Sequence, residues 1–268
     1  MVRVGLVGCG TIGTRLALAL QHRYAHAAKI TALHDMEPAN AHRLARRLPD
    51  HPQVVPLSQL LRRSDLVIEA ASPEAAHLLL PRALRANRSV FIMSVGGLLR
   101  DRRSWQRLAA RSRGKVYLPS GALAALDGVK ALAVGRIRRL SLTTRKPPRA
   151  LASAPYVLKR KLRLDRLTHP MTLLEGSPSA IVKAFPQNTN VAAVLTLAGN
   201  APSRTRVRVV ADPTIRMNIH ELEAEGDCGR IRCRIESRPS INPKTSELAV
   251  RSAIATLARI FDPVSIGT

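Results

Sequence analysis

Aromatic residues are scarce: three Phe, three Tyr and one Trp in 268 residues. A core must therefore come from Leu, Val, Ile and Ala. The hydrophobic share of 46% supplies enough of them for one large domain or two modest ones. Cysteine is almost missing. Cys9, Cys228 and Cys233 are odd in number and form no C-x-x-C pair, which excludes a disulfide framework, points to a reducing compartment and leaves no metal site to expect. No run reaches 18 apolar residues, so no membrane span is expected. The first residues lead straight into a strand pattern without a secretory leader, so the chain reads as cytoplasmic. Acids are few, 18 against 43 Lys and Arg, a formal net charge of +25. Such a charge invites a nucleic-acid reading. Against it, the sequence has no basic tail, no aromatic stacking platform and no helix-turn-helix signal. The Arg residues are spread over polar helix faces (Arg43, Arg46, Arg62, Arg85), so a solvated basic surface is the favoured reading and specific nucleic-acid binding is not expected. Such a field also steers anionic ligands.

What is present begins at once. Val2 to Val7 is a Val-rich run that reads as a buried parallel strand, and Gly8-Cys9-Gly10-Thr11-Ile12-Gly13 follows as a G-x-G-x-x-G turn. Apolar residues at helical spacing come next (Leu16, Ala17, Leu20). A second strand, Lys29 to Leu33, precedes Asp35. Strand, glycine turn, helix and an acid about 20 residues on form a dinucleotide-binding pattern. Gly8 allows the tight turn, Gly10 lets a pyrophosphate approach the backbone, and Gly13 lets helix and strand pack closely. The first helical amides, at Thr11 and Ile12, face the phosphates. Asp35 suits the ribose hydroxyls and repels a 2′-phosphate, which favours NAD; His34 and Arg43 lie close enough in sequence to admit NADP. The competing readings are an ordinary βα turn for the glycines and a solvated strand-end acid for Asp35. Cys9, inside the turn, reads as a small filler and not as a nucleophile.

Further along, Asp65 to Ala71 reads as a buried strand. Ser72-Pro73-Glu74 opens a helix, with Ser as N-cap and Pro at its first position. Ala71 and Ser72 thereby fall at the carboxyl edge of the sheet, where open α/β sheets bind ligands. Ser89 to Met93 and Lys115 to Leu118 are further strands, Arg103 to Ala110 a helix. The alternation predicts a doubly wound parallel sheet. The character changes at Pro119-Ser120-Gly121. A helix is expected over Ala122 to Ala133, a half-exposed strand over Ile137 to Thr144 and a basic loop with a short helix over 149–170. Helices are expected near Ser179 to Phe185 and from Val191 to Gly199. Three antiparallel strands are expected over Thr205 to Ala211, Met217 to Ala224 and Gly229 to Glu236. Lys244 to Phe261 completes the chain as an amphipathic helix. The pattern thus divides into a Rossmann domain over 1–119, a second α/β (α+β) domain over 120–243, and a C-terminal helical segment over 244–268 expected to pack back on the first domain.

Five short segments in the second half stand in a distinctive order. They are Leu118 to Ala131, Thr144 to Pro148, Phe185 to Ala193, Asn218 to Glu221 and Pro239 to Ser246. Together with the glycine turn they resemble the L-aspartate dehydrogenase family over nearly the whole chain. The resemblance implies a cytosolic homodimer, with 120–243 as its catalytic and dimerisation domain, that oxidises L-aspartate with NAD or NADP to iminoaspartate. That product hydrolyses to oxaloacetate and ammonia, or feeds quinolinate formation. The resemblance puts the catalytic histidine on His220 and nicotinamide-side contacts on Ala124 and Asn190. Many relatives carry glycine at the second position of the Ala124-Ala125 pair.

The residues themselves suit that chemistry. An imidazole works as acid or base near neutral pH. His220 lies on a predicted strand with Asn218 on the same face; spacing alone leaves a structural and a catalytic role equally open. A dicarboxylate substrate needs cationic or N–H donors. Arg145, Lys146, Lys244 and Lys130 are candidates, with Asn188 and Ser240 as neutral donors, and Lys244 is favoured because it lies in a turn after Asn-Pro. Two rival readings stand beside this one. The first is a related Rossmann amino-acid dehydrogenase or dihydrodipicolinate-type reductase, though the His-His segment of the latter is absent. The second is an NAD-binding regulator with nucleic-acid affinity.

Overall fold

The computed structural model describes residues 1–186, 190–240 and 246–267. The chain divides into two compact units, Met1–Pro119 with Ala253–Ser265, and Ser120–Ser252 with Ile266–Thr268. The first break falls where the βα alternation ends, the second inside the last helix.

In the first unit β1 (Val2–Val7), α1 (Thr11–Arg23), β2 (Ala28–His34), α2 (Pro38–Ala45), β3 (Gln53–Val54), α3 (Leu57–Arg63), β4 (Leu66–Glu69), α4 (Pro73–Arg85), β5 (Ser89–Ile92), α5 (Arg102–Arg111) and β6 (Val116–Tyr117) alternate along the chain. The strands form one parallel sheet in the order β3-β2-β1-β4-β5-β6. Helices cover both faces of such a sheet, so its central strands must be apolar on both sides. The last four residues of β1 and all of β4 are buried. The order reverses between β1 and β4, and the glycine turn leaves β1 at that point, where doubly wound sheets bind ligands. α4 begins as its sequence dictates: Ser72 Oγ accepts from the Ala75 amide at 3.1 Å, with Pro73 next. Val4, Leu6, Leu16, Ile68 and Phe91 make the core, joined by Ala253 and Leu257 of the C-terminal helix. Tyr24 and Phe261 stack at 5.3 Å between centroids, one use of the few aromatics.

The second unit runs α6 (Leu126–Val134), β7 (Ile137–Lys146), α7 (Pro148–Leu151), α8 (Pro155–Lys159), β8 (Met171–Gly176), α9 (Pro178–Ala184), α10 (Asn190–Gly199), β9 (Thr205–Ala211), β10 (Asn218–Gly226) and β11 (Arg230–Ser237) into α11 (Glu247–Phe261). Its sheet has the order β11-β10-β7-β9-β8. One face carries Leu140, Leu142, Val207, Val209, Leu222 and Ala224, which pack against α6, α9 and α10 around Phe185. The other face is a charged ladder. Cross-strand partners Glu221 and Arg234, Glu223 and Arg232, Glu225 and Arg230 form ion pairs at 2.7, 3.2 and 2.8 Å. This sets three of the Arg beside three of the few acids.

Three differences from the sequence pattern appear here. Met171–Gly176, for which the sequence predicts no strand, is the edge strand β8; its sequence, MTLLEG, lacks alternation and β-branched density. The segments 205–211, 217–224 and 229–236 are not one antiparallel set. β7 sits between β9 and β10 and pairs with β9 in parallel, an arrangement set by the crossover through α9 and α10 and invisible to local pattern. α6 starts at Leu126 and not at Ala122, because Ala125 caps it in the left-handed region at φ +62°.

That cap generates a prediction. A left-handed alanine costs on the order of 1 kcal/mol relative to glycine, partly offset because glycine is looser when unfolded. Ala125→Gly is expected to leave thermal stability unchanged or raise it by about 0.5 kcal/mol, read as a rise of a degree or two in Tm. A drop of several degrees would show that the methyl group makes contacts worth more than the strain.

Candidate active site

In the first unit the glycine turn has the shape its sequence demands. Gly8 holds φ +92°, and a Cβ there would lie 2.6 Å from the Ala70 carbonyl carbon. A Cβ on Gly13 would collide with the Gly8 carbonyl oxygen, so α1 packs on the turn only because that atom is missing. Gly10 differs: nothing stands within 4 Å of its would-be Cβ. The second glycine therefore keeps open space over the backbone while the first and third close a tight turn, which is the shape a pyrophosphate requires. Thr11, exposed, and Ile12, half-buried, open α1 with free amides.

Asp35 lies just past β2. One carboxylate oxygen accepts from the Cys9 amide at 2.6 Å, the other from the Glu37 amide at 2.9 Å. Two backbone donors fix the group, and its remaining lone pairs stay available to ribose hydroxyls. Cys9 is buried, and burial with the neighbouring Asp35 charge pushes its thiol up to about 12, so it stays protonated and inert. Ala71, exposed, and Ser72 follow β4. A group that pattern reading passed over stands directly before them. Glu69 is fully buried and accepts from the amides of Ala71 (2.8 Å) and Ser94 (2.9 Å) and from Ser94 Oγ (2.9 Å). It ties the loops after β4 and β5 together. Burial raises its pKa, and the hydrogen bonds oppose that rise.

In the second unit, polar side chains gather at one end of the covered sheet face. His220 on β10 is buried, and its Nδ1 lies 3.1 Å from Oγ1 of Thr144, its cross-strand partner on β7. Two residues on, on the same face of β7, Lys146 is buried too, at 4% exposure. Burial brings the ammonium down to about 8. Burial first, and the nearby Lys146 charge second, bring the His220 imidazole down to about 3. At neutral pH the pair is thus a neutral imidazole beside an ammonium held out of water. Asn218, at the start of β10 and on the His220 face, is completely buried.

The other candidate cations are engaged elsewhere. Arg145, on the opposite face, reaches Glu221 at 3.3 Å and Asp212 at 3.6 Å. Lys130 pairs with Asp127 at 3.4 Å. The favoured Lys244 and the neutral donor Asn188 lie outside the described residues. Ala124 is exposed in the loop before α6, and Asn190 is the first residue of α10; both belong to the second unit. What could have singled out Lys146 is strand phase: Leu140, Leu142, Thr144 and Lys146 alternate onto the buried face. Among the described residues no group of three or more His, Cys, Asp or Glu could hold a metal ion, and no helix is long and apolar enough to cross a membrane.

Comparison with known proteins adds the following. The family model described as aspartate dehydrogenase, C-terminal, matches residues 127–260. The model described as homoserine dehydrogenase, NAD binding domain, matches residues 8–119. An L-aspartate dehydrogenase of Methanosarcina barkeri is 43% identical over 272 aligned residues, with both chains covered in full. One of Methanosarcina mazei is 42% identical, again over the full length of both. The crystal structure of aspartate dehydrogenase from Thermotoga maritima has the same fold, with a TM-score of 0.73 at 23% identity and full coverage of both chains.

Lys146 supplies a test of these electrostatics. Its unfolded value is 10.5 and its folded value about 8. The unfolded chain therefore binds more protons across that window, and stability rises with pH between those two values. His220 falls from 6.5 to about 3, so stability is lost as pH drops through that lower range. Lys146→Met keeps the stem and removes the charge, and should stabilise the fold at pH 7 by roughly 2 kcal/mol in chemical denaturation. A variant less stable than the parent at pH 7 would contradict a desolvated charge at this position.

Proposed function

The chain belongs to the L-aspartate dehydrogenase family, and on that premise we propose the part that each unit plays in oxidising L-aspartate. The enzyme is an NAD(P)-dependent oxidoreductase acting on a CH–NH2 group. It converts L-aspartate to iminoaspartate, which takes up water and yields oxaloacetate and ammonia. The first unit binds NAD: the Gly8–Gly13 turn and the start of α1 take the pyrophosphate, Asp35 the ribose hydroxyls, and Ala71 and Ser72 line the loop that Glu69 fixes. NAD bound there supplies the acceptor for the hydride that leaves the substrate Cα.

The second unit handles charge and protons. The observation that carries this reading is the buried His220–Lys146 pair. With Nδ1–H donating to Thr144 Oγ1, the neutral His220 presents its Nε2 lone pair as a base. It takes a proton from the water that adds to the imine carbon. The resulting imidazolium, disfavoured by burial and by Lys146, returns that proton to the nitrogen of the carbinolamine; as the C–N bond breaks and ammonia leaves, His220 takes the hydroxyl proton, the C=O bond of oxaloacetate forms and one proton is released. Lys146 attracts a substrate carboxylate, and that anion in turn raises the proton affinity of both groups. Ala124 and Asn190 are assigned to the cofactor through the family resemblance, and Asn188 and Lys244 to the substrate as a neutral and a cationic donor for its carboxylates. The enzyme acts in the cytoplasm.

The homodimer is assigned to the open sheet face of the second unit. An isologous interface needs a self-complementary surface. The Glu column of β10 beside the Arg column of β11, with β7 between it and the Arg column of β9, lines a groove of about 650 Å³ and offers one.

Two measurements test this reading. The enzyme should form NADH in an L-aspartate-dependent manner, and His220→Ala should lower kcat by about 10²–10⁴-fold while NAD affinity stays within about twofold. A variant that turns over like the parent removes His220 from the chemistry. Glu223→Arg sets like charges together in the ladder and should shift sedimentation from dimer to monomer. A parent that sediments as a monomer, or a dimer indifferent to the charge reversal, moves the interface elsewhere.

A further inference from the structure

Two buried polar side chains beside the His220–Lys146 pair have no hydrogen-bond partner. Asn218 is completely buried at the start of β10, and both its Oδ1 and its Nδ2 are unsatisfied. Ser237 Oγ, buried at the end of β11, is unsatisfied as well. Among the described residues, Asn218 is the one buried side chain with two unsatisfied polar atoms, a donor and an acceptor. The two residues face each other across the β10–β11 pairing. On the other side of Asn218, Lys146 stands one step beyond the Ile219–Arg145 pair. Strand alternation therefore sets Ser237, Asn218 and Lys146 in one row across the covered face, next to the row of Ile235, His220 and Thr144.

A buried amide and hydroxyl without partners cost stability that Leu and Ala of similar shape would not. Their retention asks for a ligand, and the atoms say which kind. An amide N–H, a hydroxyl and an ammonium are donors to an anion. The Asn218 Oδ1 left over is an acceptor for a cationic N–H. A ligand carrying a carboxylate and an ammonium a few ångströms apart satisfies both. The buried carboxylate near this end, Asp212, is engaged by the Thr214 amide (3.0 Å) and hydroxyl (2.7 Å) and by Arg145. Two residues of strand separate Asn218 from His220, roughly 7 Å at about 3.3 Å per residue. The group taken by the Asn218 row is thus the one remote from the atom that His220 serves.

We propose that Asn218, Ser237 and Lys146 form the subsite for the side-chain carboxylate of the amino-acid substrate and so set the preference for a dicarboxylate. The Asn218 Nδ2–H and Ser237 Oγ–H donate to the carboxylate oxygens, and Lys146 supplies the countercharge. An amino acid with an apolar side chain leaves these donors unpaired and is rejected for that reason. The inference rests on the aspartate dehydrogenase reading of the same site.

The test uses the full-length, NAD-loaded enzyme and two variants, N218L and S237A, each removing open polar atoms with little change of shape. Thermal midpoint, KM for L-aspartate, KM for NAD, and the ratio of kcat/KM for L-aspartate to that for L-alanine are measured. The subsite predicts a midpoint equal to or above the parent's, with KM for NAD within twofold. KM for L-aspartate should rise at least tenfold, and the aspartate-to-alanine ratio should fall at least tenfold. Parental KM and ratio in both variants would overturn the proposal. So would a lowered midpoint with aspartate and NAD affinity falling together, since that is the mark of a structural role. If N218L does not fold, S237A decides by the same readouts. A parent enzyme that does not oxidise L-aspartate would sink the underlying reading, whereas a parent that does so beside indifferent variants would sink the subsite alone.

Discussion

Removal of the Lys146 ammonium from water is the constraint on which the second unit turns. A lysine on the covered face of a sheet lowers its own proton affinity and that of any base beside it. Here that base is His220, held by Thr144 on the neighbouring strand. The arrangement is costly to the fold, and the cost is carried by an otherwise apolar layer: Leu140, Leu142, Val207, Val209 and Leu222 fill the rest of the same face. The polar residues are confined to one end of the sheet, so the core continues unbroken beneath them. A surface lysine would meet a carboxylate in high dielectric, where the attraction is worth little. A buried one makes the same meeting decisive.

The first unit depends on a different physical fact, the absence of side chains. Gly8 and Gly13 have no room for a Cβ, and Gly10 has room that is kept empty. Asp35 and Glu69 then fix the surrounding loops through backbone amides from Cys9, Glu37, Ala71 and Ser94. Both acids act through geometry set by main-chain donors, and neither depends on a salt bridge. The high positive charge of the chain enters little into either site. Three of its Arg, Arg230, Arg232 and Arg234, pair with Glu across strands on the open sheet face.

How much of this was legible in the sequence differs between the units. In the first, every strand of the parallel sheet and the turn from Gly8 to Gly13 follow from apolar runs, helical spacing and turn chemistry, since a sheet buried on both faces leaves an unmistakable pattern. Glu69 was hidden for the same reason: within an apolar strand a single acid reads as an irregularity, and its three donors come from loops far apart in sequence. In the second unit, the β8 strand and the parallel pairing of β7 with β9 depend on long-range contacts that local pattern does not carry. His220 stood out through the family resemblance and Asn218 through its spacing. Lys146 was one candidate among several, because the predicted strand ends at Thr144 and does not carry the phase of Leu140 and Leu142 two residues on. The partner of His220 on that face, Thr144, became visible only with the register.

The account is tested most directly by the protons taken up when a dicarboxylate without an amine binds. Calorimetric titration of the NAD-loaded enzyme with malonate, in buffers of different ionisation enthalpy at pH about 9, counts them. Lys146 should then be mostly neutral in the free enzyme and recharge on binding, giving an uptake of about 0.5–1 proton per site that disappears in Lys146→Met. Malonate binding with no proton uptake, or with the same uptake in the methionine variant, would contradict the claim that a buried ammonium receives the substrate.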